Sequence, residues 1–535
     1  MCLFSFRRIC RWYGASILFA LMLTLILSAA AMSGCGGAPP APVVRGNTMV
    51  TVVLSSTAND QLTEFDLTLQ SITLTSQSGN TVTLLSAMQG TEFIHVNGAI
   101  EPLVTVSVPQ DVYTSATATV GGAQFTCVEL SSATGGIDTS TFAYGQTPSA
   151  NVAVNLATPI SITGNSMGLS LNLLVAQSAA YDTCDSGGAI DNYSITPTFN
   201  LTPAAFSSEP TSPENGKVIG LNGQISSVAT AAGSFVLSLP ELENPRTISV
   251  ASAAGTLYQG INTFSDLAVG TFVNIDGAVR SDGSLVATRI AVEDPSATTV
   301  VTGPLLQISD LEPSFVLWGR QQQGALYADN FVLGGQYFSF GNAVFQVSGQ
   351  LANLHALPFL PSFNAANIVP GQNVYLGTSS LLDSGGFPYT PLSTVTLLPQ
   401  TIDGTVSGSS TNGNFTVYTV ELAAYDLFPQ LAVQQGQASL LNNPSEVQVY
   451  VDSSAQQLNS QPLAPGSTLR FYGLVFNDNG TLRMDCAQIN DGVSVSPQAA
   501  QSSAQRRMEK GQSKIIRAGT LGRLHQTVRL ITPAP

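Results

Sequence analysis

From Thr48 onward, apolar and polar residues alternate along most of the chain. Met49-Val50-Thr51-Val52-Val53-Leu54 and Phe65-Asp66-Leu67-Thr68-Leu69-Gln70-Ser71-Ile72-Thr73-Leu74 are typical. Successive side chains of a strand point to opposite faces, so a period of two predicts strands with one face buried. Turn signals punctuate these runs, among them Ser78-Gly79-Asn80, Ser281-Asp282-Gly283 and Asn477-Asp478-Asn479-Gly480. Helical periodicity is confined to short stretches near Asn364–Ile368 or Val420–Leu427. The pattern predicts an all-β protein: a β-sandwich over 48–204, then three small β-barrel repeats of OB-like kind.

The repeats are read from recurring landmarks. Gly223, Gly303 and Gly404 each stand in an opening strand, followed by Phe235-Val236-Leu237, Phe315-Val316-Leu317 and Phe415-Thr416-Val417. An apolar-x-x-Gly turn then leads into a strand ending at glycine: Leu267 to Gly270 and Gly277, Ile368 to Gly371 and Gly377, Leu463 to Gly466 and Gly473. The turn glycine permits positive φ, and five or six short strands in about 80–100 residues suit a closed barrel without exposed edges. The boundaries are 217–296, 299–399 (divergent, with an insertion) and 400–494. A Pro/Ser linker spans 205–216, and a basic tail, read as disordered, spans 495–535.

The N-terminus carries a different signal. Arg7, Arg8 and Arg11 precede an apolar run from Ile17 to Leu27, and small residues end in Met32-Ser33-Gly34-Cys35. A basic start, an apolar stretch and a small-residue site read as a secretory signal over 1–34. The cysteine resembles a bacterial lipobox, which implies acylation of Cys35, a Gly/Pro tether over 35–47, and anchoring in the cell envelope. Gly36 after that cysteine implies the outer membrane by the same resemblance. An uncleaved membrane span from Gly14 to Met32 is the alternative.

Charge sharpens this reading. The 535 residues hold 18 Lys+Arg and 33 Asp+Glu, a net charge of −15, with 10% charged and 44% hydrophobic positions. A disordered acidic chain and a long coiled coil are both excluded by that balance. Residues 36–498 carry net −24 and residues 499–535 net +6. An acidic body repels phosphates, so nucleic acid is not an expected partner. Cys127 and Cys184 fall in one domain and form a candidate disulfide for an oxidising compartment, leaving Cys486 as a buried thiol.

Candidate chemistry is sparse. Gly164-Asn165-Ser166-Met167-Gly168 matches a nucleophile elbow, but strand-like runs flank it on both sides, which favours a hairpin turn over a serine hydrolase. Asp182, Asp185 and Asp191 lie in a Gly-rich loop whose spacing fits no EF-hand. His95, between Ile94 and Val96, reads as a strand histidine. No catalytic residue, metal site or cofactor is assigned. Trp318, Tyr327, Phe331, Tyr337, Phe338, Phe340 and Phe345 cluster in the extra length of the second repeat. Exposed aromatics grip sugars, so Trp318, Tyr327 and Tyr337 are the candidate ligand surface; core packing is the competing reading.

Two family resemblances follow from these segments. The Gly223 to Ile290 copy resembles DUF5666, and the other two repeats resemble it more loosely. The region 48–203 is similar to DUF4382, an exported β-sandwich family, through Leu62 to Leu69, Val108-Pro109-Gln110-Asp111-Val112-Tyr113 and Ile195 to Phe199. Ser55-Ser56-Thr57-Ala58 stands where that family carries Asp-Ala-Pro. Neither family implies a catalytic residue. The expected function is a non-catalytic binding or envelope-structural module on a lipid anchor, with a glycan or an envelope protein as partner.

Overall fold

The computed structural model describes residues 46–57, 62–128, 142–181, 193–240, 245–309, 313–324, 335–349, 356–379, 390–423, 426–432 and 440–492. From Asn47 onward these belong to one compact unit. Its regular structure is almost entirely β; among the described residues two short α-helices, Val175–Ser178 and Leu427–Ala432, and three 3-10 turns interrupt it. Asn364 to Ile368 forms a turn closed by Ile368 N–H on Asn364 O, and Val420 lies in a strand.

The N-terminal sandwich is one sheet folded on itself. Its order runs Thr81–Leu85, Glu64–Ser76, Asp111–Val128, Ala150–Asn155, Phe199–Ala204, Ser166–Leu173, Asn47–Ser56, Glu101–Pro109. Leu67, Leu69 and Ile72 from one end of that order share a core with Val52, Leu54, Leu169 and Leu171 from the other. The pleat sends the alternate residues outward, so Ser55, Ser170, Asn172 and Asn200 make a polar ladder on the far face. Ser55 pairs with Asn172, and Asn172 with Asn200.

The three repeats share one topology. In the first, Lys217–Ala229, Ser234–Ser238, Thr247–Gln259, Phe272–Val279 and Leu285–Ala291 close in the order first-second-third-fifth-fourth, the third and fifth running parallel. The last repeat makes the same pairings with Gln400–Asn412, Phe415–Leu422, Glu446–Val451, Thr468–Asp478 and Thr481–Asp491. Five strands in this Greek-key ring form an OB-type barrel. In the middle repeat the third strand is split into Gly335–Ser339 and Val344–Val347, and the fifth into Thr390–Pro391 and Thr394–Leu397. Both pieces keep the parallel pairing. The recurring glycines now have a cause. Gly270, Gly371 and Gly466 sit at φ +89, +91 and +91 in equivalent turns, where an L side chain is strained. At Gly223, Gly303 and Gly404 a Cβ would meet atoms of the second strand at 2.6, 1.8 and 2.4 Å.

The domains are packed together. Val53 and Ile100 of the sandwich enter the core of the first barrel. Leu474 and Phe476 of the third barrel enter the core of the second, while Val369 of the second enters that of the third. The Pro/Ser stretch 205–216 is ordered rather than a free linker. Ser212 and Asn215 cap a 3-10 turn reciprocally, Pro213 is buried, and the Phe206 ring lies against the first-barrel core.

Candidate functional site

The site grows from the sandwich segment 93–100, between the strands Gln89–Glu92 and Glu101–Pro109. Glu92 holds the start of this segment through its carboxylate. Its Oε1 accepts Phe65 N–H (3.1 Å) and Ile94 N–H (2.7 Å), and its Oε2 accepts His95 N–H (2.8 Å). His95 then bridges two carboxylates, with Nδ1 3.3 Å from Glu92 and Nε2 2.9 Å from Glu101. Burial alone would lower the imidazole pKa, but the charge and hydrogen bonds of Glu101 and Glu92 outweigh it and push it up to about 10. Glu101 is the converse case. Burial raises its carboxyl, yet His95 and Arg246 hold it down at about 2. His95 is therefore an imidazolium braced between anions.

Each barrel contributes one buried arginine to the sandwich. From the first, Arg246 donates to Glu101 Oε2 and to Pro102 O, both at 2.8 Å. From the second, Arg320 donates to Thr63 O (2.7 Å) and Leu62 O (3.3 Å). From the third, Arg470 donates to Asn97 Oδ1 at 2.9 Å. All three are under a tenth exposed. Carbonyl and amide acceptors take up guanidinium N–H groups where carboxylates do not, which reduces the desolvation cost of burying each cation.

A second acidic cluster lies beside Arg320. Glu64 and Asp66 project from the same face of one strand and are both buried. Burial raises both carboxyls; for Asp66 the neighbouring Glu64 charge adds to it and lifts the pKa well above the carboxylate range. Trp318 Nε1 donates to Glu64 Oε2 at 3.2 Å.

Two hollows flank this junction. A small cavity of about 90 Å³ touches all four domains through His95, Asn97, Gly220, Gly303, Gly371 and Thr401. A larger cleft of about 480 Å³ lies between the polar ladder of the sandwich and the third barrel, with Arg470 and Gln488 on the barrel side.

Of the three residues expected to form an aromatic surface around the second repeat, Trp318 is buried. Trp318 is only 5% exposed, packed among Leu306, Val316, Leu427 and Leu431, so its ring cannot stack on a ligand. It ends the second strand of its barrel, and Phe338 belongs to the third, so neither lies in inserted chain. Phe315 stacks on Phe340, which meets Phe345 edge-on, because a barrel interior consumes these rings. Tyr337 pairs through its backbone with Val316. Tyr327 and Phe331 lie outside the described residues, as do Cys35, Cys184 and Asp182, Asp185 and Asp191. Cys127 is disulfide-bonded and buried. Cys486 is a free buried thiol whose pKa burial pushes up.

At the Gly-x-Ser-x-Gly match, Gly164 turns at φ +77 between Ile160–Ile162 and Ser166–Leu173. Strands stand on both sides where an elbow needs a helix after the serine. They do not form the expected hairpin, since Ile160–Ile162 pairs with Asp111–Val128 and Ser166–Leu173 with Asn47–Ser56. His95 lies in a turn segment rather than a strand. Glu92, His95 and Glu101 lie close together in the sequence but match no motif, and the Arg246 that completes their network comes from the first barrel. A second local trace is Glu64-Phe65-Asp66, two acids flanking a buried Phe at the start of a strand.

Among the described residues no helix is long and apolar enough to cross a membrane. No curated protein matches the chain. Residues 222–291, running from within the first strand of the first barrel to the end of its fifth, match the family described as Domain of unknown function (DUF5666). The pairing pattern of that matched segment is the one that recurs in the second and third barrels.

Proposed function

We propose that this chain is an exported, lipid-anchored, non-catalytic protein of the bacterial cell envelope that acts as a rigid binding or structural arm. The observation that carries the reading is the docking of all three barrels onto the sandwich through Arg246, Arg320 and Arg470. The body has few basic residues, and placing three of them in domain contacts favours rigidity over a flexible string of modules. The charged groups of the His95 network brace each other, which suits a structural role. The basic n-region, the apolar run and Cys35 support export and acylation, and acyl chains at about 0.8 kcal/mol per buried CH₂ would hold the arm to the outer membrane. The sandwich resembles DUF4382, in keeping with an exported domain next to the anchor.

A second reading, carbohydrate binding, is favoured by the polar cleft rather than by the aromatic cluster. Crosslinking from intact cells tests the proposal, comparing the anchored protein with Cys35→Ala. The expected result is a defined envelope protein or glycan captured by the anchored form, with the variant released from membranes. Equal membrane retention of both forms, with no envelope component captured, would overturn it.

A further inference from the structure

We infer that the cleft between the sandwich and the third barrel is a binding site for a neutral, hydroxyl-rich ligand of oligosaccharide type. This rests on the binding form of the function proposed above and gives it a location. About 480 Å³ is within the size range of small-molecule sites. The cleft wall is built from side chains that both donate and accept: Ser170, Asn172 and Asn200 on the sandwich, Gln488 and Asn490 on the barrel. Sugar hydroxyls have the same dual character, so such a wall can satisfy them in any orientation.

Charge argues against the other classes. The lining carries one cation, Arg470, and one anion, Glu214. Arg470 already donates to Asn97. An anionic ligand would require a surplus of donors and a cationic one a surplus of carboxylates. An extended peptide adds to a sheet edge through its backbone. The strands forming this wall, Asn47–Ser56, Ser166–Leu173 and Phe199–Ala204, each have a paired neighbour on both sides, so they present a face and no edge.

A separate observation points to an occupant. Gln488 is only 3% exposed, and its Oε1 has no hydrogen-bond partner among the described residues. A buried amide oxygen left unpaired carries a desolvation cost, which a ligand hydroxyl would relieve once the Gln488 side chain rotates toward the cleft it lines. The ladder opposite is half-buried and preorganised: Thr57 and Asn172 bond at 3.3 Å, and Asn155 Nδ2 donates to Asn200 Oδ1 at 2.9 Å.

The test is calorimetric titration of the mature chain, released by Cys35→Ala, with maltotriose, cellotriose, xylotriose and chitotriose. Trigalacturonate and trialanine serve as the charged and peptide probes. Binding of at least one neutral trisaccharide in preference to both is expected. Gln488→Met should weaken it about tenfold, as loss of one hydrogen bond to a buried group implies. Asn172→Ala, at a half-buried position, provides a second variant that leaves the core untouched, and should weaken binding several-fold. Equal or tighter binding of trigalacturonate or trialanine, or of a trisaccharide unaffected by both variants, would overturn the cleft assignment. So would no binding of any probe. Crosslinking to an envelope protein in that last case would leave the anchored-arm reading standing while this site fails.

Discussion

Raising the pH should loosen the His95 brace. The imidazole has a folded pKa of about 10 against about 6.5 in an unfolded chain. A group with a raised folded pKa contributes stability that is complete below the unfolded value and is lost as pH rises toward the folded one. Within that window the loss is set by one proton, about 1.4 kcal/mol per pH unit. Between pH 6.5 and 8.5 it amounts to about 2–3 kcal/mol, and this slope holds for any folded pKa above the window. Burial of Glu64 and Asp66, which raises both carboxyls, acts in the same direction as pH rises. Glu101 acts at the other end: its depressed pKa adds stability above about pH 4.5 that disappears as pH falls toward 2. The assay is urea unfolding of the Cys35→Ala chain and of the same chain carrying His95→Gln, at pH 6.5, 7.5 and 8.5. Removing the cation leaves Glu101 with Arg246 and Glu92 with its backbone N–H donors, so the variant should be less stable by about 3–5 kcal/mol at pH 6.5. That gap should shrink by about 2–3 kcal/mol by pH 8.5. A gap that stays constant across the range would refute a charged His95.

Other consequences follow from the shared cores. Phe476 belongs to a third-barrel strand but is buried in the second-barrel core. Phe476→Ala should cost about 3–5 kcal/mol and raise amide exchange in Thr299–Ile308 as well as in Thr468–Asp478. Arg246→Met leaves Glu101 short of a partner and should destabilise by about 3 kcal/mol, whereas Arg280→Met, at an exposed position of the same barrel, should leave the unfolding midpoint unchanged. Trp318, the one Trp besides Trp12, should emit in the blue and resist acrylamide quenching until the chain unfolds. Cys486 should be inert to thiol reagents in the native protein and react fully in denaturant, because burial both blocks access and disfavours the thiolate.

The local physics was legible along the chain. Period-two alternation marks the strands because the pleat itself has that period, and the inward Leu169, Leu171 and Leu173 are buried as their spacing requires. The repeated glycines marked the barrels because an equivalent backbone turn needs φ near +90° each time. The aromatic cluster misled for a related reason. Alternation locates a buried face only when one face is wet, and strands such as Ser314–Trp318 are buried throughout. With both faces covered, Trp318 and Phe338 carry no local sign of which ring is available.

What the sequence determined by itself was the all-β class, the barrel repeat and the candidate anchor, each encoded in neighbouring residues. What only the tertiary structure decided was the joining of the domains. Arg246 with Glu101, Trp318 with Glu64, and Arg470 with Asn97 meet across 145, 254 and 373 positions. Such contacts leave no periodic trace, because burying a charge constrains its partner in space and not its distance along the chain. The polar ladder shows the same division. Its residues read as the solvent face of three ordinary strands, and it becomes the wall of a cleft because the third barrel packs against it.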